Sequence, residues 1–193
     1  MRAELYRLAF EPRILKFLQA DSDSRFDITF VGSFHKVHNS RTAFLENICD
    51  TFRGVKVWGH GINHLSSGSP IRKCYMGQAW GLDMYNILKA SKITFNHHGD
   101  VPAYANNMRL FEATGVGTLL LTDWKKNLHD MFEPDKEVVV YRNQKECIAA
   151  IKYYLEHSDE RSAIALAGQK RVLQDHTYNQ RMSELLGIIH KLL

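Results

Sequence analysis

Two asparagines, an arginine and a glutamate stand close together in the stretch ANNMRLFEATGVGTLLLTD, residues 105–123. If a helix begins at Asn106 or Asn107, its free N–H groups and the positive end of its dipole attract an anion. Arg109 adds a formal charge in the first turn and can hold two phosphate oxygens at once. Glu112 follows one turn later and can accept hydrogen bonds from the hydroxyl pair of a ribose. This spacing predicts a nucleotide site.

A purely structural interpretation of these residues is also open. Asn106 would then only cap the helix, and Gly115 would end it. Arg109 and Glu112 would form an i,i+3 ion pair on the surface. The preceding loop favours the ligand-binding interpretation, because the helix then starts directly at the end of a strand and its polar end faces a cleft.

Five short apolar segments, rich in β-branched residues, predict strands buried in a parallel sheet. Helical patterns separate or follow these segments. Strands that alternate with helices predict a single α/β domain with a Rossmann-like, doubly wound parallel sheet, in which ligands bind at the carboxyl ends of the strands. The predicted strands are 27–31, 55–58, 92–96, 118–122 and 137–141, and the predicted helices are 40–52, 83–91, 143–157, about 159–174 and 176–193.

The two ends of the chain have separate expectations. Residues 1–24 precede the first strand and are predicted to be a connecting or docking segment, whereas residues 25–193 form the domain. The terminal helix is amphipathic, and we expect its apolar stripe to pack on the domain. That stripe consists of Tyr178, Met182, Leu185, Leu186, Ile189 and Leu192.

Four histidines fall in the loops that follow the second and third strands. His60 and His64 belong to GHGINH, where metal binding by an HxxxH pair would need a helix that Gly61 disfavours. We therefore predict no metal site, and we expect these two side chains to lie in a solvated loop. His97 and His98 follow the third strand directly, and their neutral imidazoles are expected to line a phosphate or sugar pocket.

Three other kinds of site lack their motifs. GHGINH imitates the first two glycines of a dinucleotide fingerprint, but the third glycine and the following helix are missing, so no nicotinamide cofactor is expected. A phospho-accepting receiver domain needs acidic residues after its first strand, where Val31, Gly32 and Ser33 stand. A serine hydrolase of the nucleophile-elbow type needs a GxSxG pentapeptide, which the sequence does not contain.

Composition narrows the class of protein further. The chain has 193 residues, 45% of them hydrophobic and 24% charged, which fits one ordinary globular domain. Its net charge of +4 suits an anionic partner. Nucleic acid is not expected to be that partner, because no run of five basic residues occurs and the aromatic residues are not interleaved with lysine and arginine.

Cysteine usage and hydropathy bear on location. Cys49, Cys74 and Cys147 are scattered and without CxxC spacing, which favours a reducing compartment. No apolar stretch approaches the roughly 20 residues of a membrane span, and the N-terminus lacks the apolar block of a signal peptide. We expect a cytoplasmic protein.

Two segments carry a family resemblance. YANNMRLFEATGVGTLLLTD and the stretch from EVVVY to HTYNQRMSELL resemble the C-terminal, nucleotide-binding half of GT-B glycosyltransferases, and in particular the branch of spore maturation (CgeB-like) proteins. The opening strands, in FDITFVGSFHKVHNSRTAFLENI and VKVWGHG, are similar to the same family. The resemblance therefore covers the chain from about residue 25 to its end.

The resemblance implies a donor-binding role. It places Asn106, Asn107 and Arg109 near the diphosphate of a nucleotide-sugar, Glu112 on the ribose, and the turn at Gly32 and Ser33 beside the nucleotide. The nucleotide-sugar is the substrate, and no further cofactor is implied. Related enzymes often carry a second glutamate eight positions before the one that matches Glu112, where this chain has Tyr104, so the sugar contacts made there are not carried over.

Length is the main departure from the family. A GT-B enzyme needs two Rossmann-like domains, with the reaction in the cleft between them, and this chain supplies one. The N-terminal acceptor-binding domain, from which an acceptor-activating base would come, is expected to be missing, so the chain by itself should be inactive. Two alternatives remain: a nucleotide- or sugar-binding module that has lost its chemistry, and a sugar-nucleotide epimerase or hydrolase of the same architecture.

Overall fold

The structure is a computed structural model that describes residues 6–19, 25–35, 39–98 and 103–191. Within these ranges, five strands form one sheet: β1 (Phe26–Val31), β2 (Val55–Trp58), β3 (Ser91–Asn96), β4 (Leu119–Asp123) and β5 (Val139–Tyr141). The same ranges contain seven α-helices: α1 (Asn39–Thr51), α2 (Ile71–Cys74), α3 (Gly81–Lys89), α4 (Met108–Gly115), α5 (Gln144–Glu156), α6 (Ser158–Asp175) and α7 (Tyr178–His190).

The predicted fold class is confirmed. The strand order is β2-β1-β3-β4-β5, and each neighbouring pair is parallel. The chain leaves β1 towards β2 and then returns to β3 on the other side of β1, so the direction of winding reverses between β1 and β3. In sheets of this type the reversal opens a crevice at the carboxyl ends of the two central strands.

Both faces of the sheet are covered, which is why its strands read as nearly continuous apolar runs. Alternate residues of β4 supply the two cores, because successive side chains of a strand point to opposite faces. Leu119 and Leu121 pack with Ile48 of α1 and Ile151 of α5. Leu120 packs on the opposite face, in the core that includes Leu110, Phe111 and Val172.

The described part of the N-terminal segment, residues 6–19, packs on the second of these cores. Phe10 is fully buried, and its N–H donates to the carbonyl oxygen of His176 at 2.9 Å. Its own carbonyl oxygen accepts a 3.0 Å hydrogen bond from the N–H of Tyr178. A Cβ at Gly115 would approach the Phe10 ring to 2.6 Å, so glycine at that position allows the ring to lie flat against α4.

The expectation for the terminal helix is wrong over the part that the structure describes. Met182, Leu186 and Ile189 are 45%, 56% and 41% exposed, so most of the apolar stripe of α7 faces solvent. The helix is held at its start instead, by the contacts of Tyr178 with the N-terminal segment and by the buried Arg181. Leu192, the last member of the predicted stripe, lies outside the described residues. Within the described ranges no helix has both the length and the apolar character that crossing a membrane requires.

Candidate functional site

The site is built around the start of α4. Asn107 caps the helix: its Oδ1 accepts the N–H of Leu110 at 3.2 Å, and its Nδ2 donates to Oδ1 of Asn96 at 2.9 Å. Asn96 ends β3, so this pair fixes the first turn of the helix at the carboxyl edge of the sheet. The helix ends at Gly115, and the left-handed turn that follows is made by Gly117, whose φ is 82°.

Arg109 reaches from α4 to the end of β1. Its Nη2 donates to the carbonyl oxygen of Val31 at 3.1 Å, and its Nη1 lies 2.8 Å from Oε2 of Glu112 and 3.3 Å from the sulfur of Met84. Only 13% of the side chain is exposed. The guanidinium therefore occupies the point between β1 and β3 where the winding of the sheet reverses.

Glu112 lies behind Arg109 and is almost fully buried, as is the ion pair between them. Burial raises the pKa of the Glu112 carboxyl, although the charge of Arg109 and a hydrogen bond from Tyr85 oppose that shift. Burial also lowers the pKa of Arg109, against the attraction of Glu112. Desolvation raises the pKa of Tyr85, so its hydroxyl stays protonated and can donate to the carboxylate. Each charge is thus stabilised by the other in a place where neither alone would be favourable.

A cleft of about 150 Å³ opens beside the guanidinium. This volume is smaller than the roughly 300–1,000 Å³ of most small-molecule sites, so it fits one part of a nucleotide. The loops after β1 and β2 approach closely there: a Cβ at Gly59 would lie 1.6 Å from the carbonyl oxygen of Gly32. The lining consists of Val31, Gly32, Ser33, Gly59, His60, Ala79, Trp80, Met84 and Arg109.

A second polar cluster surrounds Asp123 at the end of β4. One carboxylate oxygen accepts from the Nδ1 of His98 at 2.7 Å and from its backbone N–H at 2.9 Å. The other oxygen lies 3.5 Å from Nδ1 of His97 and 3.3 Å from Nζ of Lys125. Desolvation opposes ionisation of Asp123, but the contacts with His98 and the charges around it bring the pKa below its usual value.

The two histidines of this cluster differ in their surroundings. Burial lowers the pKa of His97, so its ring is neutral at neutral pH. His98 is held by Asp123 through Nδ1, and its Nε2 is buried without a hydrogen-bond partner among the described residues.

The histidines of GHGINH behave differently from one another. His60 lines the cleft, and its Nε2 lies 2.9 Å from Nε2 of His35. His64 is exposed, as expected for a solvated loop. Ile62–His64 forms a single 3-10 turn rather than an α-helix, so the two histidines do not share a helix face. Among the described residues, no group of three or more His, Cys, Asp or Glu side chains is arranged to hold a metal ion.

The structure brings only some of the predicted site residues together. Gly32, Ser33 and Arg109 line one cleft, and Glu112 lies directly behind it rather than projecting into it. Asn107 is used as the helix cap, which is the structural role that the sequence interpretation left open for its neighbour.

Asn106 does not point to the cleft. Its Oδ1 accepts the N–H of Leu8 at 3.1 Å, and its Nδ2 donates to the carbonyl oxygen of Tyr6 at 3.3 Å. Both polar atoms are therefore occupied by the N-terminal segment, which lies about a hundred residues away in sequence and could not be placed from local patterns.

Other residues of the site were not predicted. Asp123 could have been predicted from the sequence as a site residue, because a carboxylate directly at the end of a buried strand lies at the edge of a parallel sheet where ligands bind. No sequence feature pointed to Trp80, Met84 and Tyr85, since many residues with no ligand occupy similar loop and helix positions.

Comparison with known proteins shows a family model and several solved structures to which the chain is similar. The family model described as Glycosyl transferase-like matches residues 17–187. A search of curated proteins found no match. Among solved structures, sucrose-phosphate synthase from Thermosynechococcus elongatus is similar with a TM-score of 0.71 and 12% identity, over 98% of this chain and 52% of that one.

Two further solved structures are similar. HepE from Anabaena, in complex with UDP-glucose, has a TM-score of 0.75 and 9% identity over 97% of this chain and 57% of its own. The C-terminal domain of LpcC, a group 1 glycosyl transferase from Francisella tularensis, has a TM-score of 0.54 and 12% identity over 90% and 96%. At these identities the likeness is one of fold. The chain spans about half the length of sucrose-phosphate synthase and of HepE, and nearly all of the LpcC domain.

Proposed function

The chain belongs to the glycosyl transferase-like family and has the Rossmann-like fold of the C-terminal half of a GT-B glycosyltransferase, and from this premise we propose that it binds the nucleotide-sugar donor of a sugar-transfer reaction. The observation that carries the proposal is the place of Arg109. Its guanidinium lies at the reversal point of the sheet, touches the end of β1 and borders an open cleft. A diphosphate bound there would meet a fixed cation at the position where ligands bind in such sheets.

Arg109 is proposed to stabilise the leaving nucleoside diphosphate. Charge builds on that group as the bond to the sugar breaks, and a pre-placed cation favours this transition state over the ground state. The contacts with Val31, Met84 and Glu112 use three of the four N–H groups at its two terminal nitrogens. One terminal N–H remains for a phosphate oxygen, and the backbone of Gly32 and Ser33 borders the same space.

Glu112 is proposed to bind the ribose, which would replace Tyr85 as a partner of its carboxylate. Its carboxylate is paired with Arg109, lies near the Tyr85 hydroxyl and is outside the cleft lining. A ribose diol that replaced Tyr85 would keep the carboxylate hydrogen-bonded and leave the ion pair in place. His97 and His98 are assigned to the sugar side of the donor, because they follow β3 on the same edge of the sheet and Nε2 of His98 is buried without a hydrogen-bond partner among the described residues.

The acceptor is proposed to bind mainly to a second domain, as in the GT-B architecture. In that architecture the reaction takes place between two domains, and the chain covers only 52% and 57% of two solved neighbours, sucrose-phosphate synthase and HepE. The exposed apolar stripe of α7 supports a covering partner, since Met182, Leu186 and Ile189 are 41–56% exposed. We nominate no catalytic base in this chain.

Two finer assignments belong to the same proposal. Placement in the CgeB-like branch rests on the segments around RLFEATGVGTLLL and HTYNQR. A cytoplasmic location rests on the three free cysteines, Cys49, Cys74 and Cys147.

Calorimetric titration with UDP tests the proposal, because HepE is a neighbour whose solved complexes contain UDP and UDP-glucose. We expect saturable binding of UDP or of another nucleoside diphosphate from a small panel, and competition between that nucleotide and its sugar conjugate. A folded chain that binds no nucleoside diphosphate would contradict the proposal. Release of UDP from UDP-glucose without any acceptor would instead favour a hydrolase.

A further inference from the structure

A second surface lies on the carboxyl edge of the sheet, after β4 and β5. Trp124 follows β4 and is 44% exposed, and Arg142 follows β5 with its guanidinium carbon 5.8 Å from the centroid of the Trp124 ring. Tyr104, in the loop after β3, is 58% exposed. We call Tyr104, Trp124, Lys126 and Arg142 the edge platform.

The loops of the platform are held by hydrogen bonds of the backbone and of the Asn127 side chain, and not by the platform's own exposed side chains. The N–H of Trp124 donates to the carbonyl oxygen of Tyr141 at 2.8 Å, which joins the ends of β4 and β5. Asn127 is buried and bonds Ala105 twice: its Oδ1 accepts the Ala105 N–H at 2.6 Å, and its Nδ2 donates to the Ala105 carbonyl at 2.9 Å. These bonds fix the loop of Tyr104 against the loop of Trp124, so the two exposed rings stand on loops that are joined by hydrogen bonds.

The charge of the platform is positive. Lys126 and Arg142 are exposed, and neither forms an ion pair with an acidic side chain in the described part of the chain. Each cation has a carboxylate near it in sequence: that of Asp123 is shared by His97, His98 and Lys125. That of Glu146 accepts the backbone N–H of Arg142 at 2.7 Å and the Nδ2 of Asn143 at 2.7 Å. Two cations therefore remain free to meet an anionic ligand beside two exposed aromatic rings.

We propose that the edge platform binds an anionic saccharide, which rests on the proposed glycosyltransferase function and assigns the charge of its acceptor. An indole face accepts the apolar C–H side of a sugar ring, and an arginine fork pairs with a carboxylate or phosphate through two parallel hydrogen bonds. The platform lies on the same edge of the sheet as the Arg109 cleft, so an acceptor held there approaches the donor from the side of β4 and β5. A sugar phosphate and a uronic acid share this chemistry.

Binding is measured by calorimetry on the whole chain in saturating UDP, which occupies the Arg109 cleft. The probes are digalacturonic acid and glucose 6-phosphate, each against its neutral counterpart, a neutral disaccharide and glucose. Vesicles with and without phosphatidylglycerol form a third arm. We expect at least one anionic saccharide to bind about tenfold or more tightly than its neutral counterpart, as a charge-assisted contact predicts. The identity of the tighter probe distinguishes carboxylate from phosphate.

Matched variants locate that binding. Arg142→Gln should remove the preference for the anion, whereas Arg53→Gln, an exposed arginine that precedes β2 at the opposite edge of the sheet, should leave it unchanged. Trp124→Leu should weaken binding about fivefold, with Phe17→Leu as the control for loss of an exposed ring.

Three outcomes overturn the inference: equal binding of charged and neutral sugars, equal binding by wild type and Arg142→Gln, or binding to anionic vesicles alone, which would point to a membrane surface. If the chain binds no nucleoside diphosphate, that result contradicts the proposed function. A chain that binds UDP but shows one of these three outcomes keeps the proposed function and loses the inference.

Discussion

The Nη2 atom of Arg109 lies 3.1 Å from the carbonyl oxygen of Val31, and this hydrogen bond ties the first turn of α4 to the carboxyl end of β1. The two residues are 78 positions apart in sequence. The hydrogen bond holds the charged guanidinium at the reversal point of the sheet. Glu112, which does not line the cleft, stabilises that charge through the ion pair. The proposed donor site is therefore a buried ion pair with one face open to a cleft, and its variants need designs that separate binding from folding.

We first predict that Arg109→Ala weakens folding as well as nucleotide binding. Removing one partner of a buried pair leaves the other charge uncompensated and costs about 3–5 kcal/mol of unfolding free energy. The double variant Arg109→Met/Glu112→Leu removes both charges and should recover most of that loss. Urea denaturation of the three proteins measures these free energies.

The double variant also tests the binding role of Arg109. If the guanidinium contacts the diphosphate, this folded variant should bind inorganic pyrophosphate, which offers no ribose to Glu112, about 10–150-fold more weakly than wild type, the equivalent of a lost charge-assisted hydrogen bond. Unchanged affinity in a folded double variant would remove Arg109 from the donor site.

Our second prediction concerns Glu112→Gln. A neutral amide accepts hydrogen bonds from a ribose diol less strongly than a carboxylate does, so UDP should lose more affinity than inorganic pyrophosphate, which has no ribose. Calorimetry with both ligands gives the ratio, and Glu160→Gln, on exposed α6 surface, serves as the control. An equal loss for both ligands would mean that Glu112 acts only through Arg109.

The third prediction concerns the close approach of the loops after β1 and β2. A Cβ at Gly59 would lie 1.6 Å from the Gly32 carbonyl oxygen, so Gly59→Ala must displace the backbone that borders the cleft. We expect a lower melting temperature and weaker UDP binding. Gly68→Ala is the matched control, because a Cβ there meets no atom within 4 Å. Equal melting temperatures for the two variants would contradict this account of the cleft.

The fourth prediction is a loss of stability in mild acid. Burial lowers the pKa of His176 below its ordinary value of 6.5, even though Nε2 contacts the Met131 carbonyl oxygen at 2.8 Å. Burial lowers the pKa of His97 in the same direction. As the pH falls below about 6.5, the unfolded chain takes up protons that the folded chain does not, so the free energy of unfolding decreases until the folded-state pKa values are reached.

His176→Gln tests the source of this effect. A glutamine can donate to Met131 and accept from the Arg181 guanidinium, which now lies 2.6 Å from Nδ1 of the histidine, but it does not titrate. Urea denaturation at pH 7.5 and 5.5 should show a smaller difference for the variant than for wild type. A difference as large as that of wild type would exclude His176 as a contributor.

The fifth prediction follows from the exposed stripe of α7. Leu186 is 56% exposed, so Leu186→Lys should change the free energy of unfolding by no more than about 0.5 kcal/mol. The same change should reduce self-association in sedimentation velocity runs, because a charge interrupts an exposed apolar stripe. A large loss of stability would show that the helix packs on the domain in solution.

The sequence by itself determined the features that depend on near neighbours. Apolar β-branched runs placed all five strands to within about two residues, and the terminal helix, predicted from residue 176, begins at Tyr178. The helix at Met108–Gly115, with an arginine and a glutamate one turn apart, was also readable. These signals act within a few residues along the chain, through backbone sterics, capping and side-chain period.

Only the tertiary structure decided what those elements face. Glu112 interacts with Tyr85 of α3, and Asn106 is hydrogen-bonded to Tyr6 and Leu8. Neither side chain therefore projects into the cleft, although its spacing predicted that it would. The stripe of α7 has the same helical period whether it is covered or exposed. The burial and the hydrogen-bond partners of these side chains depend on groups tens to more than a hundred residues away in sequence. A local sequence pattern does not indicate which of those groups will pack against it.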